Sequence, residues 1–176
     1  MNKKLMVLVG IAGSGKSTWA KEYMKDQERQ GRNIVRISRD EIRFSFIEDN
    51  EEYFAKETQV FNTYIKNIRE HLEDDVTDIV IADATHINAN SRKKLLKKLN
   101  LSNVTVVAVV FETPVSRCIE QNKLREGREC VPRVAIYNMR KYFTMPTHEE
   151  GFNEIASSGV ILCRNEADEN TYEKMK

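Results

Sequence analysis

Apolar and polar positions along this chain fall into blocks that resolve into alternating strands and helices. Lys4 to Val9 ("KLMVLV") is a short apolar run ending at a glycine and reads as a buried strand. From Lys16 onward, Trp19, Ala20, Tyr23, Met24 and Gln27 recur at helical spacing, which predicts a helix to about Gln30, stopped by Gly31. Asn33 to Ser38 reads as a second strand, and a short helix from Arg39 to about Ile47 follows. Phe54, Thr58, Phe61, Ile65, Ile68 and Leu72 mark one face of a long helix. Asp78 to Ala82 is a third strand, and a basic amphipathic helix comes after it. Thr105 to Phe111 is apolar on both faces, as a central parallel strand requires. Pro114 opens a helix at its first position, "REGREC" breaks it, and Pro132 to Tyr142 is helical again. Val160 to Cys163 reads as a fifth strand, and the acidic tail from Glu166 to Lys176 is expected to fray. This alternation predicts an α/β fold: a doubly wound, mostly parallel five-stranded sheet with helices on both faces.

The chain has 176 residues, which suits a single domain spanning 1–176. No apolar run approaches the ~20 residues of a membrane span. The N-terminus "MNKKLMVLVGIAG" has the charge pattern of a signal peptide, but its apolar run stops at a glycine-rich motif that cleavage would waste. A cytoplasmic protein without membrane partners is therefore expected. Cys118, Cys130 and Cys163 show no CxxC spacing and read as free thiols, and no histidine groups with them as a zinc site. The net charge of +1 makes no global case for a nucleic-acid partner. In "SRKKLLKKL", Lys93/Lys97 and Lys94/Lys98 oppose Leu95, Leu96 and Leu99, which reads as a solvated basic face rather than a binding stripe.

"GIAGSGKST", Gly10 to Thr18, matches G-x-x-x-x-G-K-S/T and sits between a strand and a helix, where that motif works. Gly10, Gly13 and Gly15 allow close backbone approach, with Ala12 and Ser14 completing the loop. The loop and helix N–H groups, those of Ser17 and Thr18 included, converge on a polyphosphate. Lys16 is placed for the β and γ phosphates, and the Ser17 hydroxyl for Mg²⁺. Asp83, at the carboxyl edge of the third strand, reads as a Walker B type acid that holds Mg²⁺ directly or through water. Thr85 and Asn90 are the capping candidates for the next helix.

The stretch "ISRDEIR" follows the second strand. Ser38 and Glu41 form a capping box, and Asp40 and Arg43 lie one turn apart on one face. A phosphate-transferring enzyme needs a group there to orient or deprotonate a hydroxyl, and Asp40 is the candidate.

Together "SRDEIR", "DATHINANSR" and "VPRVAIYNMRKYFTMPTHEEGF", in this order behind the phosphate loop, resemble the polynucleotide 5′-hydroxyl kinase domains of phage and animal repair enzymes. The resemblance spans about Leu5 to Ile155 and is most specific over Tyr137 to Phe152. It implies a P-loop kinase that uses ATP or another NTP, with Mg²⁺, to phosphorylate the 5′-hydroxyl end of a DNA or RNA strand. It makes Asp40 the general base, Arg43 the holder of the acceptor phosphate, and places Asp83 at the metal and acceptor. It implies a lid over approximately 121–132, where Arg125 and, in a looser match, Arg128 close on the donor phosphates. A further lid arginine of the phage-type enzymes falls at Gln121 here. A kinase for a small-molecule hydroxyl and a non-transferring ATPase stay open as alternatives. Trp19 reads as core, and "YNMRKYF" as a helix packing Tyr137 and Tyr142 or Phe143, with Arg140 and Lys141 exposed.

Overall fold

In the computed structural model, which describes residues 3–48 and 50–159, five strands form one sheet. They are β1 (Lys3–Val9), β2 (Ile34–Ser38), β3 (Ile79–Asp83), β4 (Val104–Val110) and β5 (Glu154–Ser157). Their order is β2-β3-β1-β4-β5, and every pairing is parallel. The expected strand at Val160–Cys163 lies outside the described residues. The fifth position is filled by β5, which Asn153 sets in register: its N–H donates to Val106 O at 2.9 Å and its Oδ1 accepts from Val106 N at 2.7 Å.

Both faces of the sheet are covered, which is why the strands are apolar throughout rather than alternating. Leu5, Val7 and Val9 of β1 face one core, and Met6 and Leu8 face the other. The first core is closed by α3 (Glu57–Glu73) and α4 (Ala89–Leu99), the second by α1 (Lys16–Arg29). Each such buried aliphatic side chain contributes ~1.5–3 kcal/mol of transfer free energy. Trp19 is core as expected: it stacks on Tyr23 at 4.8 Å and meets Phe111 edge-on at 5.7 Å. The remaining helices are α2 (Arg39–Phe46), α5 (Val115–Lys123) and α6 (Arg133–Lys141), with short 3₁₀ turns at Gly127–Glu129 and His148–Glu150.

Four local expectations change. The buried stripe of α3 is Val60, Tyr64, Ile65, Ile68 and Leu72, while Phe54 precedes the helix and is exposed. The N-cap of α4 is Asn88, whose side chain accepts from Ser91 N, so neither Thr85 nor Asn90 caps it. On α6, Ile136 is buried and Met139 and Phe143 pack beside it, leaving Tyr137 and Tyr142 exposed. Arg92, drawn as part of a basic helix, is fully buried. Its five N–H donors are all engaged: Nε and Nη2 grip both oxygens of Glu150 at 2.7 and 2.8 Å, and Nη1 donates to His86 O and Thr144 O. This pair ties the chain after β3 to the chain before β5.

Candidate active site

The phosphate loop is shaped by two left-handed glycines, Gly13 at φ 77° and Gly15 at φ 91°. A Cβ on Gly13 would stand 2.2 Å from Cys118 O, so this position admits no side chain. The first intrahelical bond of α1 runs from Trp19 N to Gly15 O, which leaves the N–H groups of Lys16, Ser17 and Thr18 ahead of the ladder and directed into the loop. Lys16 is buried and donates to Gly10 O at 2.9 Å, Ile11 O at 2.7 Å and Ser14 Oγ at 3.3 Å. Burial pushes its ammonium down to about 8; Asp83 opposes that shift and Arg125 adds to it. A cation held by carbonyl dipoles and a hydroxyl, with no direct carboxylate partner among the described residues, suits an incoming polyanion.

Ser17 Oγ donates to Asp83 Oδ2 at 3.0 Å. Hydroxyl and carboxylate are the hard oxygen donors that Mg²⁺ takes, with waters and phosphate oxygens completing its sphere. The pair therefore fits that ion, and among the described residues no denser cluster of acids, histidines and cysteines competes with it. Sequence reading missed a third member. Arg36 of β2 places Nε on the same Asp83 oxygen at 2.8 Å and Nη1 on Glu41 at 2.6 Å. Glu41 is thus drawn away from its capping role, and only half of the expected box forms, Ser38 Oγ accepting from Glu41 N at 3.3 Å.

Asp40 and Arg43 do meet on one face of α2, with Nη1 to Oδ1 at 2.5 Å. Asp40 remains open to solvent, whereas Arg43 is 4% exposed. The guanidinium also donates to Tyr53 OH at 3.0 Å and Glu57 Oε2 at 2.7 Å, and lies 4.5 Å from the Tyr53 ring centroid. Tyr53 OH donates to Asp40 Oδ1 at 2.8 Å; burial first, then the Asp40 charge, pushes its phenol up to about 12. The other oxygen of Glu57 accepts from Arg39. Glu57 and Tyr53 thus brace the Asp40–Arg43 pair. Neither stands out in the sequence, since both reach the pair only after the chain turns back between α2 and α3.

Arg125 and Arg128 follow α5, in the segment expected to form the lid. Asn122 anchors that segment, bonding Val131 O at 2.7 Å and Val131 N at 3.0 Å. Arg125 lies near enough to Lys16 to depress its ammonium, and among the described residues its guanidinium has no hydrogen bond or ion pair. Arg128 instead bonds the backbone carbonyls of Glu48, at 2.7 Å, and Glu51. These bonds tie it to the segment that follows α2.

One cleft of about 390 Å³ collects these groups: Ala12, Lys16, Ser17 and Asp83 from the phosphate side, Asp40 and Arg43 from α2, and Arg125 and Arg128 from the lid segment. Gly10, Gly13, Ser14, Gly15 and Thr18 build the loop behind it. The cleft lies at the carboxyl ends of β1, β2 and β3, where open parallel sheets bind ligands.

Fold and site together define a P-loop kinase-like domain with a nucleotide-binding phosphate loop. More particularly, the profile of AAA_33, an AAA domain, matches residues 5–146, and the chain belongs to that family. The L-seryl-tRNA(Sec) kinase of Methanococcus maripaludis is 27% identical over 144 residues, 81% of this chain and 53% of that protein. The chain thus spans about half the length of that relative. A chain of the Pnkp1/Rnl/Hen1 RNA repair complex superposes with a TM-score of 0.63 at 23% identity, over 80% of this chain and 43% of that one. Kti12 of Chaetomium thermophilum, solved with ADP-AlF3, superposes with a TM-score of 0.65 at 17% identity, over 87% of each chain. Both structures share the fold. Among the described residues, no helix is long and apolar enough to cross a membrane.

Proposed function

We propose that this domain transfers the γ-phosphate of ATP, or of another NTP, to the 5′-hydroxyl end of a DNA or RNA strand. One observation carries the reading: a single cleft holds a phosphate loop on one wall and an open carboxylate, Asp40, braced by Arg43 on the other. The Asp40 carboxylate orients the acceptor hydroxyl and takes its proton. The hydroxyl oxygen forms a bond to the γ-phosphorus in line with the β–γ bridging bond, which breaks and leaves a nucleoside diphosphate. Lys16 and Arg125 neutralise charge on the transferring group. Ser17 and Asp83 would hold Mg²⁺, which when bound would supply further charge neutralisation at the phosphates. Asp40, Tyr53 and Glu57 use three of the five N–H donors of Arg43, and its Nε–H is buried without a partner among the described residues, which leaves one Nη2–H for an acceptor phosphate. Exposed Phe54, at the cleft rim, offers a face for the terminal base. The RNA kinds named for two similar proteins, a seryl-tRNA kinase and an RNA repair complex, support an acceptor on nucleic acid.

A second reading is a kinase for a small-molecule hydroxyl. It is favoured by the pairing of Arg39 and Arg43 with Glu57 and Asp40, which leaves the acceptor wall locally neutral. Labelled ATP offered with 5′-hydroxyl DNA and RNA oligonucleotides, with a nucleoside mixture, or with no acceptor separates the readings by where the label goes. Label on nucleosides alone supports the small-molecule kinase, and equal hydrolysis with and without acceptor supports an ATPase. Asp40→Ala is expected to abolish transfer and leave nucleotide affinity nearly unchanged. Wild-type turnover in that variant removes Asp40 as the base.

A further inference from the structure

The acceptor wall continues outward as a line of positive charge. Arg39, at the cleft, holds its guanidinium 5.2 Å from the centroid of the Phe61 ring on α3. A second cation neighbours that ring: Lys94 of α4, whose ammonium is 4.7 Å from the centroid. Lys98 stands one turn further along α4 in the same row. Its carbonyl accepts from Arg69 of α3 at 2.6 Å, so the two helices stay side by side along this seam. Helix α4 carries no acid, and its one arginine, Arg92, is turned inward onto Glu150. Among the described residues none of Lys93, Lys94, Lys97 and Lys98 has a salt-bridge partner. The acids at the two ends of the seam are already engaged: Glu57 with Arg39 and Arg43, and Glu70 with Lys66. A chain of net charge +1 therefore carries unpaired lysine charge at Lys94 and Lys98, on a surface seam that begins at the cleft mouth with Arg39, itself paired with Glu57.

We infer that this seam, Arg39–Phe61–Lys94–Lys98–Arg69, is a track for the strand whose 5′ end occupies the cleft. Phosphates pair with the basic side chains, of which Arg39 and Lys94 are held beside one another by their contacts with the Phe61 ring. From Phe61 to Arg69 the helix rises about 12 Å, the length of roughly three stacked nucleotides. The inference rests on the proposed function for the orientation of the strand, and it deepens it: the acceptor is a polynucleotide, gripped beyond its terminal residue. The sequence-level reading of α4 as a merely solvated face is thereby revised for one of its two lysine rows.

The two rows provide an internal control, since helical spacing puts Lys94 and Lys98 on the flank of α4 that meets α3, and Lys93 and Lys97 on its other flank. Lys94→Gln/Lys98→Gln and Lys93→Gln/Lys97→Gln remove the same charge from the same helix. Binding of a 3′-fluorescein 5′-hydroxyl 12-mer is followed by anisotropy as salt rises from 50 to 400 mM, with transfer to the 12-mer and to a dinucleotide measured in parallel. The first variant is expected to weaken 12-mer binding on the order of tenfold at low salt and to lower the salt slope by about 1.4. It leaves transfer to the dinucleotide unchanged. The second variant is expected to change either quantity far less. Equal effects of both variants, an unchanged slope, or equal displacement of the 12-mer by polyglutamate overturns the track. Row-specific 12-mer binding without transfer to any strand leaves the track standing and overturns the proposed reaction instead.

Discussion

Glu150→Gln tests the pair that fixes the back of the site. Arg92 is fully buried and relies on one carboxylate for charge balance. The substitution keeps an oxygen for Thr147 N, which now bonds Glu150 Oε1 at 3.1 Å, so it removes the charge while sparing the turn. It also sets an amide N–H₂ against a guanidinium donor. Breaking a buried ion pair by removing one partner costs about 3–5 kcal/mol. In a domain of this length each kcal/mol moves the melting temperature by about 2–4 °C, so a fall of roughly 6–20 °C is expected in calorimetry at neutral pH. Arg92→Met alone strips donors from the His86 and Thr144 carbonyls and is also destabilising. Once Arg92 is gone, the loss of Glu150 adds little, so the double variant melts well above the sum of the two losses, with coupling of about 2 kcal/mol or more. Additive losses, or a fall below about 2 °C in Glu150→Gln, refute the reasoning. Transfer activity should decline with stability, because Arg92 holds His86 O only three residues beyond Asp83.

His86 is buried at φ 42°, with Nδ1 on Leu8 O at 2.9 Å, and burial pushes its imidazole down to about 4. The unfolded chain takes a proton below about 6.5 and the folded one only near 4, so stability present at neutral pH falls across that window, by about 3 kcal/mol. His86→Asn, which tolerates the positive φ, is expected to flatten urea midpoints between pH 6.5 and 4; an unchanged slope refutes the assignment. Lys16, pushed down to about 8, loses its proton in the free protein as pH rises past that value. Apparent nucleotide affinity should then fall about tenfold per pH unit above 8, with proton uptake on binding in calorimetry. Affinity that stays flat from pH 7 to 9.5 refutes this.

The phosphate loop was legible before folding because its chemistry is contiguous: Gly13, Gly15, Lys16 and Ser17 act through backbone directions set within a few residues. The same holds for Asp40 and Arg43, which a single helical turn places together. Apolar strands alternating with helices were enough to predict a doubly wound sheet, since each element must bury its own face.

What tertiary structure alone decided is which distant polar groups meet. Strand order puts β2 beside β3, and only then does Arg36 reach Asp83, 47 residues away, and draw Glu41 out of its capping box. Packing of α3 against α2 delivers Glu57 to Arg39 and Arg43, and the return of the chain before β5 delivers Glu150 to Arg92 across 58 residues. Local spacing carries no record of such pairings. A buried charge must find its partner wherever the fold supplies one; hydrophobic periodicity specifies which faces turn inward, and their closure then determines which carboxylate each arginine finds.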